Sequence, residues 1–269
     1  MPAFFTDTEL AARIERVECR LVQDCALHVA QRRPEVGAFA LPLAGGVAAF
    51  GGATSPLSKV VGLGFGGPLD ESRLAEVEHC LARHGCAVQG EQCTLANPAI
   101  AAQLTRRGYV LVGFENVLGL RLPQGLSSVA SRAPGALVIS VTRCADAELP
   151  VWADVLARAF AVPDVQGVPS HESIPDDALR QIASDMAAVP GFQRYLAATE
   201  AVAGAASMRV ADGVAQLCGA ATLPEHRRRG VQTALLATRL REAAELGCDL
   251  AVATALPGSR SQQKAQRHG

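Results

Sequence analysis

The stretch Ala220–Leu236, AATLPEHRRRGVQTALL, holds the residues best suited to chemistry. An apolar strand runs into Pro224, a basic turn containing Gly230 follows, and a series of good helix formers comes next. That order builds an anion site. The first-turn N–H groups of a helix have no intrahelical partner, and the helix dipole adds partial positive charge at the same end. Gly230 lets a ligand approach the backbone without meeting a Cβ. Arg227, Arg228 and Arg229 add positive charge, and Gln232 and Thr233 offer side-chain donors. A pyrophosphate suits such a site better than a neutral ligand does. The plainer alternative is an ordinary helix start behind a solvated basic turn.

Other constellations carry less. Glu225 and His226 lie beside the basic turn, as a base would, but solvated turn residues explain them more simply. Cys80 and His84 have the i, i+4 spacing of a metal pair, yet no second pair with zinc-ligand spacing accompanies them, so no metal is expected. Gly62-Leu63-Gly64-Phe65-Gly66-Gly67 lacks a basic turn and reads as a tight strand end. No G-x-S-x-G motif supports a hydrolase. Cys218 and Cys248 read as small core residues on strands. Trp152, Phe192 and Tyr195 are core by default, with an acceptor pocket as the alternative.

Apolar periodicity and end signals place the elements. Leu10, Ile14, Val17 and Leu21 form one face of an opening helix stopped near Pro34. Strands are expected at Val36–Leu43, Val47–Phe50, Lys59–Phe65 and Ala87–Cys93. Asp70 caps a helix that ends at Gly85, and Asn97-Pro98 opens another that ends at Gly108. Tyr109–Leu122 reads as a long strand or a hairpin. Pro123–Gly135, rich in Ser, Pro, Gly and Ala, is a linker. The second half expects a strand at Ala136–Val141, a helix from Asp146 and another within Asp176–Ala188. Strands then follow at Phe192–Ala198, Val202–Arg209 and Ala215–Leu223. A long helix from Gly230 to Leu246 buries Leu236, Leu240, Ala243 and Ala244. A strand at Leu250–Thr254 and a helix at Ser259–His268 complete the order.

The halves resemble copies. A helix ends in Gly85-Cys86 in one and Gly247-Cys248 in the other, and each is followed by a short helix ending at Gly108 or Gly269. The extra residues of the second copy fall at His226–Val231, so the first copy reads as one stripped of its loop. Chance alignment of short glycine signals is the competing account.

Bulk properties agree with two ordinary domains. The chain has 269 residues, 49% hydrophobic and 19% charged, with a formal net charge of −1. Clustered positive charge for a nucleic-acid footprint is absent, and no apolar run reaches the length of a membrane span. Eight cysteines without a C-x-x-C pair, and no evident signal peptide, point to free thiols in the cytoplasm.

The order Arg227-x-x-Gly230-x-Gln232 resembles the R/Q-x-x-G-x-G/A motif of the Gcn5-related N-acetyltransferases (GNAT). The preceding Thr222-Leu223-Pro224-Glu225-His226, the following Thr233-Ala234-Leu235-Leu236 and the distal Gly258-Ser259-Arg260-Ser261 are similar to the family too. Gln232 departs from the small residue at the third motif position. The resemblance implies a mixed α/β fold in two tandem acetyltransferase-like domains, each a mixed sheet flanked by helices. These are a degenerate copy at 1–122, a linker at 123–135 and an acetyl-CoA-binding domain at 136–269. It implies that Ala221, Thr222 and Leu223 pair with the pantetheine arm, while Arg227, Arg228, Arg229, Gly230, Val231, Gln232 and Thr233 hold the pyrophosphate. The Leu223 N–H becomes the oxyanion donor, with Glu225 and Ser261 as stand-in acid or base. The implied reaction is acetyl transfer to an amine of a small molecule or peptide, by a monomer or homodimer without a metal. A catalytically weak acyl-CoA-binding or sensing module is the alternative. Two departures favour it. Ala265 stands where many members have a tyrosine, and the family's last strands do not follow Gly269. A shortened sequence, a natural truncation or a strand supplied from elsewhere each account for the second, the first being preferred. The acidic Ser173–Asp177 stretch reads as a solvated loop or an attraction for a cationic amine.

Overall fold

A computed structural model describes residues 5–128, 138–162, 168, 176–187 and 189–267. The chain divides into two compact units, Met1–Val112 and Gly113–Gly269.

In the first unit, helix α1 (Thr8–Arg32) begins at Asp7, whose carboxylate accepts the Leu10 N–H. Strands β1 (Phe39–Leu43), β2 (Gly46–Phe50) and β3 (Val60–Val61) form a three-stranded antiparallel sheet in that order. Alternation along β2 and β3 sorts two cores. Val47, Ala49 and Val61 meet Val22 and Ala26 of α1 on one face. Ala48, Phe50 and Val60 meet helices α2 (Glu71–Arg83) and α3 (Pro98–Arg106) on the other, through Leu74, Val77, Leu81 and Ile100. Asp70 and Asn97 cap these helices, each accepting from backbone amides. The strand expected at Ala87–Cys93 reduces to a single parallel bridge between Val60 and Gly90. The glycine run at 62–67 is a close-packed turn, in which a Cβ on Gly66 would lie 2.4 Å from the Gly45 Cα.

One polar cluster sits between α1 and this sheet. Lys59, largely buried, pairs with Glu18 at 3.2 Å and Glu91 at 2.8 Å. Burial opposes the charge, but the two carboxylates hold the ammonium above its ordinary pKa. Glu15 sits beside them with its pKa pushed up to about 7, chiefly by burial and then by Glu18 and Glu91.

The second unit holds the larger sheet. Its elements are β4 (Asn116–Arg121), β5 (Ser140–Arg143), α4 (Leu149–Ala161), α5 (Asp176–Ala187), β6 (Phe192–Ala198), β7 (Val202–Ala211), β8 (Val214–Gln216), β9 (Ala220–Thr222), α6 (Val231–Glu245), β10 (Leu250–Ala255) and α7 (Arg260–Arg267). Strand order is β4-β10-β8-β7-β6-β5, with β9 paired to β7. Only β8 and β10 run parallel, joined through α6. Alternation again sorts two faces. Tyr195, Ala197 and Met208 meet Val231, Leu235, Leu240 and Ala243 of α6. Leu196, Ala205, Ala221 and Leu223 meet Trp152, Val155 and Leu156 of α4 and Ala183 and Ala187 of α5. Trp152 is core, its indole N–H donating to the Ala206 carbonyl at 3.0 Å.

Three expectations change. First, Tyr109–Leu122 is neither one long strand nor a hairpin. Val110, Leu111, Val112 and Phe114 are exposed, and only Asn116–Arg121 is a strand. Second, that strand belongs to the second unit. It pairs antiparallel with β10 along its whole length, from Arg121 opposite Leu250 to Asn116 opposite Ala255. The division therefore falls at Val112/Gly113 rather than after residue 122, and β4 covers the side of β10 that the sequence left open. Third, the single strand expected at Ala215–Leu223 breaks into β8 and β9 around Leu217–Gly219. Much of the linker, the start of the strand expected at Ala136, residues 173–175 of the acidic stretch, and His268 and Gly269 lie outside the described residues.

Small residues bring β7, β9 and α6 together. A Cβ on Gly204 would lie 2.7 Å from Val231 Cγ1 and 2.8 Å from the Ala221 carbonyl oxygen. The second neighbour is strand backbone, which cannot rotate away. Gly204→Ala is therefore expected to cost about 1–3 kcal/mol through overpacking, read as a lower urea midpoint. An unchanged midpoint would mean that β9 shifts at no cost.

Candidate functional site

The break at Leu217–Gly219 opens the sheet. Parallel pairing ends where the Leu217 N–H donates to the Val252 carbonyl at 2.8 Å. Beyond it, β9 pairs with β7, whereas Ala253, Thr254 and Ala255 of β10 pair with β4. The two strands therefore part, leaving a gap between them. Antiparallel strands alternate hydrogen-bonded and non-hydrogen-bonded pairs. Ser207 donates to the Gly219 carbonyl at 2.9 Å, and Leu223 donates to the Ala203 carbonyl at 3.0 Å. Those two pairs fix the phase: Ala220 and Thr222, opposite Ala206 and Gly204, direct their N–H groups away from β7 and into the gap.

This corrects one site residue. The Leu223 N–H, expected as the oxyanion donor, faces β7 and is spent on Ala203. Sequence alone could not give the phase of the alternation, because the irregular Leu217–Gly219 segment sets it. The side chains divide likewise. Ala221 and Leu223 enter the α4–α5 core. The Thr222 hydroxyl is buried without a hydrogen-bond partner among the described residues.

At the far end of β9 the chain turns through a 3-10 segment, Pro224–His226, into the basic turn. Arg228 and Gly230 both have left-handed backbone, with φ of 64° and 89°. Arg228, Arg229 and Gly230 are exposed. Helix α6 then starts without a side-chain cap, and its first intrahelical bond runs from the Ala234 N–H to the Gly230 carbonyl at 3.0 Å. The amides of Val231, Gln232 and Thr233 precede that bond and point out of the helix start. Among the described residues a Cβ at Gly230 would meet nothing closer than Ile139 Cδ1 at 3.6 Å, so the turn is open above its backbone there.

Arg227 behaves differently from its neighbours. Its guanidinium donates to the carbonyls of Ala159, at 3.2 Å, and Val162, at the C-terminal end of α4, and its Nε to the Thr222 carbonyl at 3.4 Å. It supplies a cation to a helix C-terminus and ties β9 to α4, rather than standing free for a phosphate as the motif implied. Charge-assisted bonds of this kind are each worth about 1.5–3 kcal/mol. Arg227→Ala is expected to lower stability by about 2 kcal/mol on that basis, measured by urea unfolding followed through Trp152 fluorescence. No loss would mean that water replaces the guanidinium.

The acid and base candidates are not brought together. Glu225 pairs with Arg158 at 3.3 Å on the surface. Ser261 is exposed in the first turn of α7, where buried Ser259 accepts the Gln262 N–H. Tyr195 is fully buried, and Tyr109 lies in the first unit donating to Glu78 at 3.0 Å. His84 of the suspected metal pair stacks on Phe50 with ring centroids 4.4 Å apart. All eight cysteines are free. No helix among the described residues is long and apolar enough to cross a membrane.

A mixed sheet splays beside a strand that leads through a basic, glycine-containing turn into an uncapped helix, an arrangement open to an extended ligand ending in an anion. Residues 157–269 match the family model described as Acetyltransferase (GNAT) family. Among solved structures, a GCN5-related N-acetyltransferase from Kribbella flavida is 21% identical with a TM-score of 0.56, over 86% of this chain and 85% of that one. A tandem GNAT protein from the clavulanic acid biosynthesis pathway is 13% identical with a TM-score of 0.52, over 78% and 70%. A functionally unknown conserved protein from Staphylococcus epidermidis ATCC 12228 is 9% identical with a TM-score of 0.50, over 74% and 73%. At these identities the likeness is one of fold, and it extends across both units. No curated protein matches the chain.

Proposed function

We propose that the C-terminal GNAT domain binds acetyl-CoA in the gap beside β9 and transfers its acetyl group to an amine. One observation carries this reading. Two sets of uncommitted backbone donors lie in sequence along one path, those of Ala220 and Thr222 on the free side of β9 and those of Val231, Gln232 and Thr233 at the start of α6. An extended chain ending in phosphates matches that order, with the arm along the strand and the anion at the helix. When bound, acetyl-CoA supplies an activated acyl group. Arg228 and Arg229, exposed beside the turn, add charge that neutralises phosphate. Thr222 orients the arm through its N–H. The Ala220 N–H, nearer the fork of the sheet, takes the oxyanion role first given to Leu223. Positioning of the amine supplies much of the remaining rate. We assign Glu225 to steadying the turn through Arg158 rather than to proton transfer.

That pairing of Glu225, together with Ala265 in the place of a family tyrosine, favours a second reading: an acyl-CoA-binding or sensing module with little turnover. Calorimetric titration with acetyl-CoA, followed by assay of thiol release against a panel of amines, separates the two. Binding with amine-dependent thiol release supports the transferase. Binding without release for any amine supports the sensing module, and no binding removes both.

A further inference from the structure

Arg239 sits on α6 with its residue only 4% exposed, in line with Val231, Leu235 and Ala243 on the buried face. Its Nε donates to the Leu235 carbonyl at 3.2 Å within the helix. One terminal nitrogen reaches out of the helix to two carbonyls of the sheet, Ser207 at 2.9 Å and Cys218 at 3.3 Å. Cys218 lies where β8 has ended and β9 has not begun, and Ser207 lies beside it on β7. The Cys218 carbonyl also lies 3.3 Å from the Ser207 N–H and 3.2 Å from the Ser207 hydroxyl, both donors to it. The Cys218 N–H turns back to the Gln216 carbonyl at 3.1 Å, and Gly219 passes through φ of 23°. A buried cation thus converges with the Ser207 donors on the carbonyl at the apex of the bulge.

We propose that Arg239 is a positioning residue that fixes the Leu217–Gly219 bulge, and through it the phase that aims the Ala220 and Thr222 amides into the gap. The physical case is one of cost. Burying a guanidinium against carbonyls alone is unfavourable unless its hydrogen bonds are well made, and burial indeed pushes its pKa down to about 10. An apolar residue would fill this face of α6 as Leu235 does. The guanidinium instead donates to the Ser207 carbonyl facing the irregular segment and adds a third donor to the Cys218 carbonyl, beside the Ser207 N–H and hydroxyl. Removing it takes this donor from the Ser207 carbonyl and leaves the Cys218 carbonyl held by the Ser207 donors alone, and β8–β9 then gains by straightening into a continuous strand. Because strand alternation has period two, a one-residue change of register there reverses which amides face the gap. This role rests on the acetyl-CoA reading only in what the amides bind; the fixing of the bulge stands apart from it.

The test uses Arg239→Met, which keeps the side chain's length without the charge, and Arg239→Lys, which keeps a charged donor. Leu240→Ala, at a buried neighbour on the same helix, controls for lost stability. Hydrogen exchange and the acetyl-CoA dissociation constant are measured in the full chain. In Arg239→Met, exchange at Ser207 and Leu217–Gly219 is expected to rise about 10-fold while β6 stays protected, with acetyl-CoA binding about 10-fold weaker. Arg239→Lys recovers part of both, and Leu240→Ala lowers the melting temperature without moving either. Unchanged exchange in Arg239→Met overturns the proposal, as does Leu240→Ala moving both readouts equally. If the wild type binds no acetyl-CoA, the functional reading falls and hydrogen exchange alone decides the role of Arg239.

Discussion

Gly230→Asp is expected to weaken acetyl-CoA binding about 100-fold, while Gly230→Asn stays within several-fold of wild type. The two variants share their geometry. Both place a short polar side chain at φ of 89°, a conformation that Asn and Asp tolerate better than other residues. Neither meets a close neighbour at Cβ among the described residues, where Ile139 Cδ1 is 3.6 Å away. They differ in one charge. At about 4 Å, with an effective dielectric of about 20–40, like unit charges repel by about 2–4 kcal/mol, and every 1.4 kcal/mol or so is tenfold in affinity. The Asp carboxylate would also take the uncapped Val231, Gln232 and Thr233 amides for itself, as an N-cap does. Calorimetry at two salt concentrations checks the claim, because the gap between Asp and Asn narrows as salt screens the repulsion. Equal binding by wild type and Gly230→Asp would move the phosphates away from α6 and with them the main support for the proposed function.

The second large effect lies far from the site in sequence. Glu15→Gln is expected to stabilise the first unit by about 2 kcal/mol near pH 8 and by little below about pH 4.5. Glu15 has a folded pKa of about 7, raised by burial and by Glu18 and Glu91, against an ordinary value of 4.5. The sign follows from proton counts. Between those values the folded state binds more protons than the unfolded one, so stability falls as pH rises. The contribution is present below about 4.5 and is lost as pH passes 7. Lys59 lowers the Glu15 pKa only in part, because its ammonium is shared with Glu18 and Glu91. A glutamine can still accept the Gly62 N–H that the carboxylate accepts, while removing the buried charge. The sole tryptophan, Trp152, lies in the second unit. Urea unfolding by far-ultraviolet circular dichroism should therefore show the gain, and Trp152 fluorescence should not. A gain that is constant with pH would assign the stabilisation to something other than the charge on Glu15.

Much of this protein is legible without coordinates where periodicity and end signals act locally. Asp7, Asp70 and Asn97 start helices because their side chains accept first-turn amides within a few residues. Phe192–Ala198 is a strand over the expected residues, and α6 falls within one residue of its expected ends. The basic turn and Gly230 are readable as an anion site because the unpaired amides of a helix start follow from helix geometry alone.

What only the tertiary structure decided are matters of partner and phase. Whether Asn116–Arg121 ends the first unit or edges the second depends on which strand it meets, and its apolar pattern suits either. Whether Leu223 or its neighbours face the gap depends on a three-residue irregularity whose stabilising cation, Arg239, lies on another element. A charged residue on the apolar face of α6, four residues from Leu235, was the one signal in the sequence that pointed to it. Arg227 carries the same charge as Arg228 and Arg229, but the end of α4 claims it. Sequence fixes the donors and acceptors that each residue brings. The fold alone determines which are already spent, since a hydrogen bond made within the protein is withdrawn from the ligand.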